Sequence, residues 1–115
     1  MSKNYTEITS NISASIAKLR QGIPDVMAGF SSLAAASTKE GALSKKSKEL
    51  IALALAVAAR CDGCIGFHAQ ALVKLAVTQE ELMETLAMAV YMGGGPSLMY
   101  AAEALTAFEE FKAHA

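Results

Sequence analysis

The sequence predicts an all-α fold, and three observations carry that prediction. Apolar residues recur at three- and four-residue spacing, and no segment alternates as a half-buried strand would. Alanine, the strongest helix former, swells the hydrophobic share to 53% while aromatics stay at 6%. Caps and breakers punctuate the chain: "QGIPD" at 21–25, Ser44, Thr78 and "GGGP" at 93–96. No repeat, linker or low-complexity stretch interrupts the 115 residues, so one domain spanning 1–115 is expected.

Each helix has its own signal. The first is expected from about Tyr5 to Leu19, with Ile8, Ile12, Ile16 and Leu19 at helical spacing. "QGIPD" breaks it, and Pro24 opens a second helix carrying Val26, Met27, Phe30 and Leu33. "TKEGAL" reads as a loop, after which Ser44 caps a third helix from Lys45 to about Arg60. That helix is polar in its first turn and apolar on nearly every side beyond it. Such a helix must be buried all round, which a domain this small achieves with a partner subunit; a homo-oligomer is expected. A turn near "CDG" starts a fourth helix at about Gly63, running to Leu75. Thr78 and Glu81 form a capping box for a fifth helix reaching about Met92. "GGGP" stops it, and Pro96 begins a last helix to about Lys112.

Charge and hydropathy exclude some functions. The net charge is −1 and "KKSK" at 45–48 is the densest basic stretch, which leaves no footprint for nucleic acid or an anionic membrane surface. The polar start "MSKNYTEITSNIS" lacks the apolar centre of a signal peptide. The longest apolar run, "LIALALAVAA" at 50–59, is too short to span a bilayer. A cytoplasmic location is therefore expected, with neither nucleic acid nor membrane as partner. In a reducing compartment, two cysteines point to redox, catalytic or metal chemistry rather than a structural disulfide.

Both cysteines lie in "CDGCIGFH", residues 61–68. Cys61 and Cys64 are three apart, which at a helix start puts their Cα atoms roughly 5–6 Å apart, within disulfide reach. Cys64 and His68 are four apart and share a helix face. The positive end of the helix favours a thiolate; Arg60 adds to that effect and Asp62 opposes it. Three readings stand side by side. The pair is a redox couple. Or Cys61, Cys64 and His68 bind zinc, with Glu49 or His114 to complete a four-ligand site. Or the cysteines are inert small hydrophobes, His68 a hydrogen-bonded core residue and Glu49 a surface acid of a first turn.

A longer pattern links these residues: Glu49, eleven residues, then C-x-x-C-x-x-x-H at Cys61, Cys64 and His68. With "VTQEEL" and "GGGP" downstream, residues of roughly 40–110 resemble the carboxymuconolactone decarboxylase superfamily, in its alkylhydroperoxidase D-like branch. The resemblance implies a bundle of about six helices assembled as a homo-oligomer, trimer or hexamer. It implies a peroxidase that reduces alkyl hydroperoxides with no metal, haem or flavin cofactor. A thiol or dithiol, small or protein-borne, would supply the electrons. It further implies that Cys64 is the peroxidatic cysteine, Cys61 the resolving one, and His68 with Glu49 a proton relay. The decarboxylases that name the superfamily generally lack the cysteine pair. Two positions depart from the pattern: Gly63 stands where some members carry a second His, and Ala76 where the following helix usually ends in Gly. The alternatives are a thiol–disulfide oxidoreductase without a peroxidase role and a zinc-binding helical structural protein.

Overall fold

A computed structural model describes residues 3–115. The described residues form six helices and no strand: α1 (Tyr5–Gly22), α2 (Pro24–Thr38), α3 (Lys45–Ala59), α4 (Asp62–Lys74), α5 (Gln79–Gly93) and α6 (Gly95–Ala113). None of them is long and apolar enough to cross a membrane.

The caps follow the local chemistry. Asn4 accepts from the Glu7 N–H at 3.0 Å to open α1. The helix outruns its expected end at Leu19 and continues through Gly22. It breaks at Ile23, which leaves the helical region at φ −135° and ψ 63°, as the ring of the following Pro24 disfavours helical backbone at the residue before it. Ser44 accepts from Ser47 N–H at 3.0 Å at the start of α3. The Thr78–Glu81 capping box is present in both directions, at 3.1 and 2.9 Å.

The core gathers around α4, which packs against α6, α3 and α1. Ile65, Ala69 and Leu72 of α4 are fully buried, together with Leu53 and Val57 of α3, Leu82 of α5 and Ala104 of α6. Each large aliphatic side chain enclosed in this way contributes roughly 1.5–3 kcal/mol. Burial departs from the expected pattern in two places. On α1 the buried residues are Tyr5 and Thr9, while Leu19 is half-exposed. Helix α2 buries no residue, and α3 is covered on one side only, with Leu55 64% exposed. Large apolar side chains are thus left exposed on α2 (Val26, Phe30, Leu33), α3 (Ile51, Leu55) and α5 (Met88, Met92), and those of α3 and α5 line shared apolar grooves.

Helices α3 and α4 end in the same way. Arg60 and Ala76 both adopt left-handed φ, 57° and 56°. In each case paired bonds close the end: Arg60 N–H to Val57 O and Cys61 N–H to Ala56 O, then Ala76 N–H to Val73 O and Val77 N–H to Leu72 O, all 3.1 Å. This is the Schellman arrangement, and it normally uses glycine, because a Cβ in the left-handed region costs roughly 1–2 kcal/mol. The turn at Arg60 leads the chain directly from α3 into Cys61.

Ala76→Gly is expected to stabilise the fold by about 0.5–1 kcal/mol, the relief of left-handed strain less the extra entropy glycine gives the unfolded chain. Urea unfolding checks it: the midpoint rises at unchanged slope. A midpoint that stays put or falls contradicts this reading of the turn.

Candidate functional site

Cys61 is the N-cap of α4, so the helix starts one residue before the expected Gly63. Its sulfur accepts from the Cys64 N–H at 3.2 Å. Sulfur thus occupies the place that a Ser or Asp oxygen usually takes, at the positive end of the helix. Cys61 and Cys64 are joined as a disulfide, with Cα atoms 5.2 Å apart. Cys64 is exposed and Cys61 half-buried, so a molecule from solvent meets Cys64 first.

Glu49 is the fifth residue of α3 and is 6% exposed, which removes the reading of it as a surface acid. Its Oε2 lies 2.6 Å from His68 Nδ1, a contact across nineteen sequence positions. A carboxylate oxygen accepts, so a neutral imidazole that donates from Nδ1 to Glu49 keeps the lone pair on Nε2. The carboxylate therefore fixes the ring and leaves a proton acceptor on the other nitrogen. Ala52, Leu55, Ala56 and Ala59 of α3, with Cys64 and His68 of α4, line a shallow recess of about 290 Å³. Three of its walls are alanines, whose short side chains keep the approach to Cys64 open.

The opposite face of α4 is closed by α1. A Cβ at Gly63 would stand 2.7 Å from Ile12 Cδ1, and one at Gly66 would stand 2.6 Å from Thr9 Cγ2. The Thr9 hydroxyl donates to the carbonyls of Tyr5 and Thr6, at 3.0 and 3.2 Å, which holds that side chain in place. Gly63 therefore has a packing role: a histidine there would have to displace Ile12.

Sequence reasoning missed one cluster. The Tyr5 hydroxyl donates to Glu103 Oε2 at 2.8 Å and sits 3.5 Å from Asp62 Oδ1. Lys3 Nζ donates to Asp62 Oδ1 at 3.0 Å and lies 3.9 Å from Glu103 Oε2. Burial, then the bond to Glu103, holds the Tyr5 hydroxyl protonated far above the usual tyrosine range. These partners lie 57 to 98 residues apart along the chain, and no local pattern announces them.

His114 sits with Gln70, Val73 and Lys74 at the far end of α4. Ten residues of helix separate Lys74 from Cys64, about 15 Å, so His114 does not join Cys64 as a zinc ligand. Among the described residues no group of three His, Cys, Asp or Glu side chains is arranged to hold a metal ion.

With this geometry in place, comparison with known proteins is decisive at the level of family. Residues 24–107 match the carboxymuconolactone decarboxylase family. The chain belongs to it. A solved carboxymuconolactone decarboxylase family protein from Legionella pneumophila is 68% identical with a TM-score of 0.93, over 94% of this chain and 96% of that one. A second, from Thermotoga maritima, is described as a candidate participant in an antioxidative response; it is 28% identical with a TM-score of 0.78, over 96% of this chain and 92% of its own. An uncharacterised protein of Cupriavidus necator is 42% identical over 108 residues, 94% of this chain and 92% of that protein. The six-helix architecture is therefore that of the carboxymuconolactone decarboxylase family.

Proposed function

We propose that the protein is a thiol-dependent peroxidase that reduces alkyl hydroperoxides through Cys61 and Cys64. The observation that carries this reading is the Glu49–His68 contact at 2.6 Å on the same helix face as the exposed Cys64. A nucleophile, a base and a carboxylate that orients the base form the arrangement that activates a weak nucleophile.

His68 Nε2 takes the Cys64 proton. The thiolate attacks one peroxide oxygen and the O–O bond breaks. The alkoxide leaves as the alcohol with the proton from His68, and Cys64 becomes a sulfenic acid. The Cys61 sulfur then attacks Cys64, the S–S bond forms and water leaves. A dithiol reductant breaks that disulfide by exchange, supplying two electrons and two protons and ending as a disulfide itself. The pair as it stands, disulfide-bonded with Cys64 exposed, corresponds to the state before this last step. The likeness to the Thermotoga maritima protein supports an antioxidative role. The shallow, apolar recess at Cys64 favours a second reading, a thiol–disulfide oxidoreductase acting on a flat protein surface.

The open apolar face that Ile51, Leu55, Met88 and Met92 line between α3 and α5 supports the homo-oligomer expected from the sequence, since exposed apolar patches mark association sites. We take the occupant of that face to be further copies of this chain.

Peroxide consumption with a dithiol reductant tests the function. Wild type is expected to accelerate it at least ~100-fold over Cys64→Ser, the scale of an activated nucleophile with its base. Rates in both proteins equal to the reductant alone contradict the peroxidase reading; if wild type still reduces protein disulfides, the second reading takes its place. Sedimentation velocity is expected to give three or six chain masses, and a monomer at micromolar concentration contradicts the assembly.

A further inference from the structure

The residue between the two cysteines that carries charge is Asp62, the first residue of α4. A carboxylate next to a redox pair disfavours thiolate, yet this one does not stand alone. Lys3 donates to it at 3.0 Å, and the same ammonium is 3.9 Å from Glu103 and 5.2 Å from the centre of the Tyr100 ring. Tyr5, wholly buried, ties Glu103 and Asp62 into one cluster and fixes the start of α1 beside the start of α4. Lys3 and Tyr5 both precede residues 24–107, the stretch matched to the family, so that match assigns them nothing.

We infer that Lys3 is a positioning residue for the redox pair: by compensating the Asp62 carboxylate it raises the reduction potential of the Cys61–Cys64 couple and eases thiolate formation. This rests on the redox reading of the cysteines and adds to it a residue that sets the poise of the couple. Reduction breaks the Cys61–Cys64 bond and delivers two electrons from two reductant thiols, which join as a disulfide. The two protons pass to the cysteine sulfurs or, where a thiolate persists, to solvent. Whatever stabilises thiolate stabilises the reduced side of this equilibrium.

The charges facing the pair are few. Helix α4 contributes Asp62 and His68, α3 contributes Glu49, the turn before Cys61 contributes Arg60, α6 contributes Glu103, and the segment at α1 contributes Lys3 and the neutral Tyr5. Glu49 and His68 answer one another at 2.6 Å. Of the rest, Asp62 is the acid between the cysteines and Lys3 is its bonded cation. The hydrogen bond that the Lys3 ammonium donates to Asp62 raises its pKa above the usual lysine value, so the compensating charge persists at neutral pH. Lys3 and Asp62 side chains are 36% and 37% exposed, so the effect is modest and screened by salt.

Full-length protein equilibrated with glutathione redox buffers provides the test, together with the pH profile of thiol alkylation in the reduced protein. Lys3→Met is expected to move the equilibrium about two- to fivefold toward the disulfide and the alkylation profile to higher pH, with the difference shrinking at high salt. Lys3→Arg is expected to restore both readings, and Asp62→Asn to move both in the opposite direction. Lys3→Met superposing on wild type, or Lys3→Met and Asp62→Asn shifting the same way, overturns the inference while leaving the redox reading intact. A wild-type pair that does not exchange with glutathione at all overturns both.

Discussion

The site depends on one hydrogen bond, between the carboxylate of Glu49 and the imidazole of His68. Glu49 is almost wholly buried, and a buried carboxylate is expensive unless it is paired. Its partner comes from the next helix, so α3 and α4 must lie in one fixed register for the charge to be tolerated. That register is set at the turn between them, where Arg60 takes a left-handed conformation and two backbone bonds close the end of α3. The turn that ends α3 also delivers Cys61 as the cap of α4. Folding this corner and building the constellation of Glu49, Cys61, Cys64 and His68 are thus one event.

Helix α4 has a different task on each side. Toward α3 it presents Cys64 and His68 to a recess kept shallow by Ala52, Ala56 and Ala59. Toward α1 it presents Gly63 and Gly66, which let that helix approach within contact of the α4 backbone. At its start, the Cys61 sulfur accepts the Cys64 N–H, a bond that in the proposed cycle would favour Cys61 as the leaving thiolate when a reductant attacks the exposed Cys64. Position, exposure and hydrogen bonding therefore differ between two cysteines that look equivalent in the sequence.

Much of this was legible before any coordinates. Local rules located all six helices, because Ser and Thr caps, prolines, glycines and apolar spacing act within a few residues of where they stand. The resemblance singled out Glu49, Cys61, Cys64 and His68, the structure brings Glu49 and His68 into contact, and the chain belongs to the family the resemblance named. What stayed hidden was non-local. The burial of Glu49 depends on which face of α3 meets α4, and a mostly apolar helix does not reveal that. The end of α1 was placed at Leu19 because "QGIPD" looks like a breaker; glycine bends a helix less firmly than the residue before a proline, and the break falls at Ile23. The partners of Asp62 are Lys3 and Tyr5, 59 and 57 positions away at the N-terminal side of the chain. The open faces of α2 and α3 reflect a core that the chain alone does not close.

The central claim is that Glu49 acts on Cys64 through His68. The most direct measurement is the pH profile of Cys64 alkylation in the reduced protein, comparing wild type with Glu49→Gln and using far-UV circular dichroism to confirm that both are folded. Glutamine keeps a hydrogen-bonding side chain of the same shape but removes the charge that favours a proton on the imidazole. The account predicts a profile displaced to higher pH by about one unit, so that alkylation at neutral pH slows about tenfold. Superposed profiles from two folded proteins would contradict it and leave Glu49 as a structural acid only.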